Sequence, residues 1–85
     1  MNETLQKTVH LSYYAVIREK TAVSGEDLET MATDARALYR EVESRHGFSM
    51  PENVMRVSVN DVFSDWRTKL KAGDRVAFIP PVSGG

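Results

Sequence analysis

Hydrophobic and polar residues alternate along the first patterned segment of the chain, residues 9–17. One face of this segment carries Val9, Leu11, Tyr13, Ala15 and Ile17. Tyr14 lies on the opposite face, and Arg18 follows it there. A period of two is typical of a strand with one buried face. We therefore predict a first strand here, preceded by a loose N-terminal extension over residues 1–8.

A helical pattern follows over residues 33–46, where apolar positions recur at spacings of three and four. The apolar stripe comprises Ala35, Leu38, Tyr39, Val42 and His46. Thr33 is the predicted N-cap, and Gly47 stands where a left-handed residue commonly ends a helix. These signals predict one main amphipathic helix.

The other patterned segments predict further strands. They span residues 26–32, 55–59, 63–66 and 75–79. Asn60 and Asp61 supply turn residues between the third and fourth of the predicted strands. The order of elements predicts an α+β fold of the β-grasp type, a mixed sheet of four to five strands covered by one main helix. Residues 9–79 form this domain.

The end of the sequence differs from everything before it. Its six residues are Pro80, Pro81, Val82, Ser83, Gly84 and Gly85. Two consecutive prolines end a strand and favour an extended course, because proline lacks an N–H and has a fixed φ. Glycine has no Cβ, so the last two residues fit a narrow channel. We predict a flexible, extended C-terminal tail over residues 80–85, whose carboxylate on Gly85 can enter the active site of another protein.

The composition restricts the chemistry that the chain can perform. Its 85 residues make one domain, and a formal net charge of −1 gives no reason to expect nucleic acid or an anionic membrane as a partner. No apolar stretch is long enough to span a membrane, and the polar start does not resemble a signal peptide, so we expect a cytoplasmic protein. The absence of cysteine excludes thiolate metal sites and a cysteine nucleophile.

No catalytic constellation emerges from the side chains. His10 and His46 lack companions at metal-ligand spacing, and a histidine at the end of a helix more commonly interacts with the helix dipole. The carboxylates fall in predicted turns and on the polar helix face. We therefore expect no bound cofactor, no metal and no catalytic side chain, which leaves the carboxylate of Gly85 as the candidate reactive group.

An exposed apolar patch is predicted beside the root of the tail. The alternation places Tyr14 and Ile79 outside the core on neighbouring strands, with Phe63 close by, and Arg18 and Arg75 add a charged rim. Apolar residues clustered beside a reactive end suggest a docking surface. A register shift of one residue would instead bury all three apolar side chains.

Three segments together resemble the small subunit of molybdopterin synthase, and the resemblance covers residues 9–85. The most specific segment is Gly73-Asp74-Arg75-Val76-Ala77-Phe78-Ile79-Pro80-Pro81-Val82-Ser83-Gly84-Gly85. The supporting segments are Tyr13-Tyr14-Ala15 with Arg18-Glu19, and Val57-Ser58-Val59-Asn60. The chain departs from the family at Asp61, where the family commonly has glycine.

The resemblance implies a ubiquitin-like fold and a sulfur carrier of molybdenum-cofactor biosynthesis. In such proteins an activating enzyme uses ATP to adenylate the terminal glycine, and sulfur transfer converts its carboxylate to a thiocarboxylate. The tail then enters the large subunit of the synthase, a heterotetramer of two small and two large subunits, where a precursor pterin receives the sulfur. By position, Gly85 bears the reactive group and Gly84 lets it thread. The partner-binding residues expected from the patch and the tail are Tyr14, Arg18, Phe63, Ile79, Pro80, Pro81, Val82 and Ser83.

Other functions are compatible with the same tail. A sulfur carrier of thiamine biosynthesis has this fold and a Gly-Gly end, although it is usually shorter and lacks the Pro-Pro-Val-Ser segment. A ubiquitin-like modifier would join Gly85 to lysines of target proteins after the same activation step. A binding module with an incidental tail is the remaining alternative.

Overall fold

The computed structural model describes residues 6–81, which form a five-stranded mixed sheet with a helix across one face. In chain order the elements are β1 (Lys7–Tyr13), α1 (Ala15–Thr21), β2 (Gly25–Thr30), α2 (Ala35–His46), a 3₁₀ turn (Glu52–Val54), β3 (Arg56–Val59), β4 (Val62–Ser64) and β5 (Arg75–Ile79). This is the β-grasp arrangement predicted from the sequence, with α2 as its main helix.

The strands lie in the order β2-β1-β5-β3-β4, so β5 is the central strand. β5 pairs in parallel with β1 and antiparallel with β3, while the two outer pairings are antiparallel. Tyr13 lies opposite Phe78 on one side of β5, and Arg56 lies opposite Ile79 on the other. The C-terminal ends of β1 and β5 therefore meet at the same edge of the sheet.

The core fills the space between the sheet and α2. Its fully buried members from the two layers include Leu38, Tyr39 and Val42 of α2 and Val9, Val57, Val76 and Phe78 of the sheet. Burying a side chain of this size stabilises the fold by about 1.5–3 kcal/mol. Tyr39 packs its ring edge-on against Phe78, with 5.0 Å between centroids, and Trp66 lies 5.2 Å from Tyr39. This aromatic group supports β5 directly before the tail.

The first strand is shorter than predicted and is followed by a helix that the alternation did not indicate. β1 ends at Tyr13, and Ala15–Thr21 forms α1. Ala15 is exposed, contrary to the prediction, whereas Ile17 is buried as predicted. Positions 13 and 17 share a face in a strand and also lie about one turn apart in a helix, so the pattern of apolar residues fits both structures.

The first strand also begins before the predicted domain boundary at residue 9. Lys7 and Thr8 belong to β1, where they pair with Thr30 and Glu29. A sheet ladder uses backbone groups, so these polar residues extend the strand without an apolar pattern. Lys7 Nζ also donates to the carbonyl of Ala32 at 2.6 Å. Only residues 1–5 of the predicted extension lie outside the described residues.

The sequence predicted the residue that ends α2 correctly and the residue that caps its start wrongly. Gly47 adopts the predicted left-handed conformation, with φ 73°. The N-cap is Asp34 and not Thr33, because the Asp34 carboxylate accepts a hydrogen bond from the Ala37 N–H at 2.9 Å. A carboxylate at this position also lies favourably at the positive end of the helix dipole.

The turn between β3 and β4 has the predicted residues. Asn60 and Asp61 both have positive φ, 55° and 72° respectively. Two successive left-handed residues are typical of a type I′ hairpin, whose twist matches that of the strands. The turn therefore forms although Asp61 replaces the glycine common in the resembling family.

Candidate functional site

The three predicted patch residues lie together on the face of the sheet that α2 does not cover, here called the open face. Tyr14 is 49 % exposed and Phe63 is 60 % exposed, whereas Ile79 is partly buried. Tyr14 comes directly after Tyr13, which pairs with Phe78 of β5. It therefore lies beside Ile79, the residue that follows Phe78. The predicted register is correct, and we call Tyr14, Phe63 and Ile79 the open-face patch.

Small side chains form a shallow floor next to the patch. Ser12 of β1 and Ser58 of β3 pair with Ala77 of β5 from its two sides. Phe63 of β4 pairs with Ser58. The first three line a depression of about 170 Å³, with Tyr14 and Ile79 on its wall. Large apolar groups around a floor of small ones leave room for side chains of another protein.

The expected charged rim is present in part. Arg75 lies at the border of the depression, where its guanidinium donates to Asp61 Oδ2 at 2.8 Å. Arg18 is exposed on α1, the short helix that contacts β5 near the root of the tail. Arg18 is therefore at the same end of the sheet as Tyr14 and Ile79.

The two prolines after β5 differ in exposure. Pro80 is buried, which contradicts its assignment as a partner-binding tail residue, whereas Pro81 is exposed. Since a proline needs no N–H partner, its ring can continue the packing of the domain after the strand ladder ends. The freely accessible part of the tail thus starts no earlier than Pro81. Val82, Ser83, Gly84 and Gly85 lie outside the described residues.

Arg56 belongs to this site although the sequence analysis did not assign it a role. Its guanidinium carbon lies 4.6 Å from the centroid of the Phe63 ring, a cation–π geometry. The alternation of β3 already places Arg56 opposite Val57 and Val59 and so on the open face. This alternation is the sequence signal from which Arg56 could have been assigned to the site.

Both histidines interact with carboxylates of β2. His10 Nδ1 lies 2.7 Å from Asp27 Oδ1 on the surface. His46 Nε2 lies 2.7 Å from Glu26 Oε2, which also accepts a hydrogen bond from the Tyr13 hydroxyl at 2.6 Å. Burial alone would raise the pKa of Glu26, but the hydrogen bonds from Tyr13 and His46 outweigh it and hold that pKa below its ordinary value.

The contacts of His46 and Glu26 indicate a structural role. Their hydrogen bonds join β1, β2 and the last turn of α2 on the side of the sheet away from the open-face patch. His46 was expected to interact with the helix dipole, and its direct partner is Glu26. Burial, reinforced by the neighbouring carboxylate, raises the pKa of Tyr13 well above its ordinary range, so this hydroxyl remains a hydrogen-bond donor.

Residues 6–81 provide neither a metal site nor a membrane-spanning helix. No group of three or more His, Asp or Glu residues in this part of the chain is placed to hold a metal ion. No helix within it is both long and apolar enough to cross a membrane.

Comparison with known proteins identifies relatives along most of the chain. A model of the ThiS family matches residues 11–85. The human molybdopterin synthase sulfur carrier subunit is 33% identical over 82 residues, which cover 91% of this chain and 93% of the human protein.

Solved structures of similar proteins share the fold. A putative molybdopterin converting factor subunit 1 from Pyrococcus furiosus is 29% identical with a TM-score of 0.74, covering 89% of this chain and 99% of that one. A complex of subunits 1 and 2 of the molybdopterin-converting factor from Helicobacter pylori contains a chain that is 28% identical, with a TM-score of 0.62. That match covers 92% of this chain and 99% of the Helicobacter chain.

Proposed function

This chain belongs to the ThiS family, and we propose that it is the sulfur carrier subunit of a molybdopterin synthase. In this proposal a carboxylate oxygen of Gly85 attacks the α-phosphate of ATP in an activating enzyme and pyrophosphate leaves. Sulfide released by a sulfur donor then attacks the acyl carbon and displaces AMP, which produces a thiocarboxylate. The thiocarboxylate sulfur is finally transferred to a precursor pterin bound by the large subunit.

The observation that carries this proposal is the position of the end of β5: this central strand ends beside the open-face patch, and the sequence that follows it closes with Gly84-Gly85. Gly85 is four residues from Pro81, and extended chain covers about 3.1–3.3 Å per residue. A partner bound at the patch would therefore have its acceptor site within roughly 13 Å of Pro81. Two residues without Cβ atoms suit passage through a narrow channel at that distance.

The chemical groups present in the chain indicate which part of the reaction it performs and which part its partners perform. It contains no cysteine to carry sulfur, and its two histidines already contact Asp27 and Glu26. We assign the activated group to Gly85 and the catalytic side chains to the partners. ATP is then a substrate of the activating enzyme and is not bound by this chain.

The open-face patch is the proposed docking surface for the large subunit. Tyr14 and Phe63 expose large apolar areas near the tail, and aromatic side chains contribute much of the binding energy at protein interfaces. The complex of the two Helicobacter pylori subunits supports a large-subunit partner. We propose a heterotetramer of two small and two large subunits, assembled in the cytoplasm.

Copurification with the large subunit tests this proposal. The full-length chain with an N-terminal tag, expressed in its own organism, should recover a pterin-binding large subunit in equal amount. A chain lacking Gly85 should still recover it, because the patch is intact, but the complex should not convert precursor pterin. Covalent high-mass conjugates through Gly85, without the large subunit, would instead support the modifier alternative and contradict the proposal.

A further inference from the structure

Arg56 lies where a docked partner would cover it. It is the first residue of β3, it pairs with Ile79 in the β3–β5 ladder, and its guanidinium stands over the Phe63 ring at 4.6 Å. It thus connects two of the three patch residues. A partner that covers Phe63 must also remove water from this cation.

Most other arginines of the described chain already have a carboxylate nearby. Within residues 6–81 these are Arg36, Arg40, Arg45, Arg67 and Arg75, each within 4.0 Å of an Asp or Glu oxygen. No such ion pair involves Arg56 or Arg18 in that part of the chain. Both of these arginines lie at the end of the sheet from which the tail leaves. Among the arginines of residues 6–81, those without an ion pair therefore lie near the open-face patch.

We propose that Arg56 recognises an Asp or Glu side chain of the large subunit and so contributes to the choice of partner. This inference rests on the proposed function, which supplies the large subunit as the occupant of the open face. A guanidinium cannot lose its proton in a protein, so it stays charged when the partner excludes water. An unpaired charge in such a place is costly, whereas a carboxylate can meet the planar guanidinium with two parallel hydrogen bonds.

The contact with Phe63 prepares Arg56 for this role. Stacking on the ring restricts the long side chain before docking, which lowers the entropy lost on binding. It also leaves the N–H groups at the edge of the guanidinium free to donate toward the partner. Partners with an apolar surface but without an acidic side chain at this place would be rejected, because they would bury the charge unpaired.

Calorimetric titration of the full-length chain with the purified large subunit of the same organism tests the proposal. At about 50 mM salt, Arg56→Ala should weaken binding about tenfold and Arg56→Glu at least about a hundredfold. Arg56→Lys keeps the charge and should lose about threefold or less. The losses for Arg56→Ala and Arg56→Glu should shrink at about 500 mM salt, since salt screens the ion pair. Thermal unfolding should shift by no more than a few degrees, because Arg56 is exposed and a cation–π contact on the surface is weak.

Arg40→Glu is the matched control. Arg40 is exposed on α2, on the other side of the molecule from the open face, and the substitution changes the charge by the same amount. Its affinity for the large subunit should equal that of the original chain. Acid-to-lysine variants of the large subunit should include one that restores binding to Arg56→Glu, which would locate the carboxylate.

Two results would overturn the inference while leaving the proposed function standing. In one, Arg56→Glu binds as tightly as the original chain at both salt concentrations. In the other, Arg56→Ala and Arg56→Lys weaken binding equally at both salt concentrations. That result would show that the loss comes from stacking on Phe63 and not from charge. Failure of the unaltered chain to bind the large subunit at all would instead overturn the proposed function, and this inference with it.

Discussion

The buried carboxylate of Asp74 connects two turns at the start of β5. Its Oδ1 accepts a hydrogen bond from the Asn60 side-chain amide at 3.0 Å, and its Oδ2 accepts one from the Lys71 backbone N–H at 2.7 Å. Asn60 Oδ1 in turn accepts from the Arg75 N–H at 2.9 Å. The Gly-Asp and Val-Asn pieces of the sequence signature therefore have a shared structural function: they join the β3–β4 hairpin to the central strand.

Replacing Asp74 by alanine should destabilise the fold by about 2 kcal/mol, because it removes the buried carboxylate that accepts hydrogen bonds from the Asn60 amide and the Lys71 N–H. Urea unfolding followed by the fluorescence of Trp66, the one tryptophan of the sequence, measures this change. Asp27→Ala is the matched control, since Asp27 is exposed and its pair with His10 lies on the surface. Equal stability of both variants would contradict the structural role of Asp74.

Individual residues also differ in how far their positions could be predicted from the sequence. Ile79 was placed correctly, because alternation with a buried face fixes which side of β5 its side chain occupies. Tyr14 is outside the core as predicted, although β1 ends one residue before it, and Phe63, expected close by, lies across from Ser58 on the same face. Arg56 was overlooked, although the same alternation places it on the open face. Its importance depends on the neighbouring Phe63 ring, a contact between two strands that a pattern along one strand does not contain.

At the scale of elements, α2 was predictable and α1 was not. A helix of the length of α2 repeats its apolar spacing several times, whereas the seven residues of α1 supply too few repeats to be told from a strand. The extent of the strands was less predictable than their existence. Lys7 and Thr8 join β1 through backbone pairing, and Pro80 packs into the domain after β5 has ended.

The N-terminus of α2 provides a discriminating prediction. Asp34→Ala should cost about 1 kcal/mol of stability, because the Ala37 N–H loses the side-chain oxygen that caps it. Thr33→Ala should have little effect, since Thr33 contributes only its backbone carbonyl, which accepts from the Leu70 N–H. Chemical unfolding of both variants checks the pair. A larger loss for Thr33→Ala would restore Thr33 as the cap.

At the scale of the whole molecule, acid should weaken the fold through two carboxylates that hold different elements together. Glu26 joins β2 to β1 and α2, and Asp74 joins the turns around β5. Burial alone would raise the pKa of Asp74 as well, but hydrogen bonds from Lys71 and Asn60 outweigh it and lower that pKa. A group whose pKa is lower in the folded state stabilises the fold at pH values above its unfolded-state pKa. This contribution is lost as the pH falls through its folded-state pKa.

We therefore expect stability to be constant between about pH 5 and neutral pH and to decrease progressively below about pH 5. Urea unfolding at a series of pH values measures this dependence. The variant Glu26→Gln should be less stable than the original chain at neutral pH and should show a shallower decrease in acid, because one of the two titrating groups is gone. An unchanged slope in this variant would show that Glu26 does not contribute to the acid sensitivity.

The arrangement of the molecule explains why its family was more accessible from the sequence than its surface contacts were. The parallel pairing of β1 and β5 brings Tyr14 and Ile79 to the edge from which residues after β5 leave. The motif at the end of the chain identified the family, which the human relative and the ThiS match confirm. The choice of partner depends on surface contacts such as that of Arg56, and these require the folded sheet.

The intact mass of the protein tests the central claim most directly. After incubation with the activating enzyme, ATP and a sulfur donor, the chain should gain the mass difference between one sulfur and one oxygen, and fragmentation should assign the change to Gly85. A chain lacking Gly85 should show no gain and should keep the same thermal stability. An unchanged mass in the full-length chain, or a gain located at any other residue, would contradict the claim that Gly85 carries the sulfur.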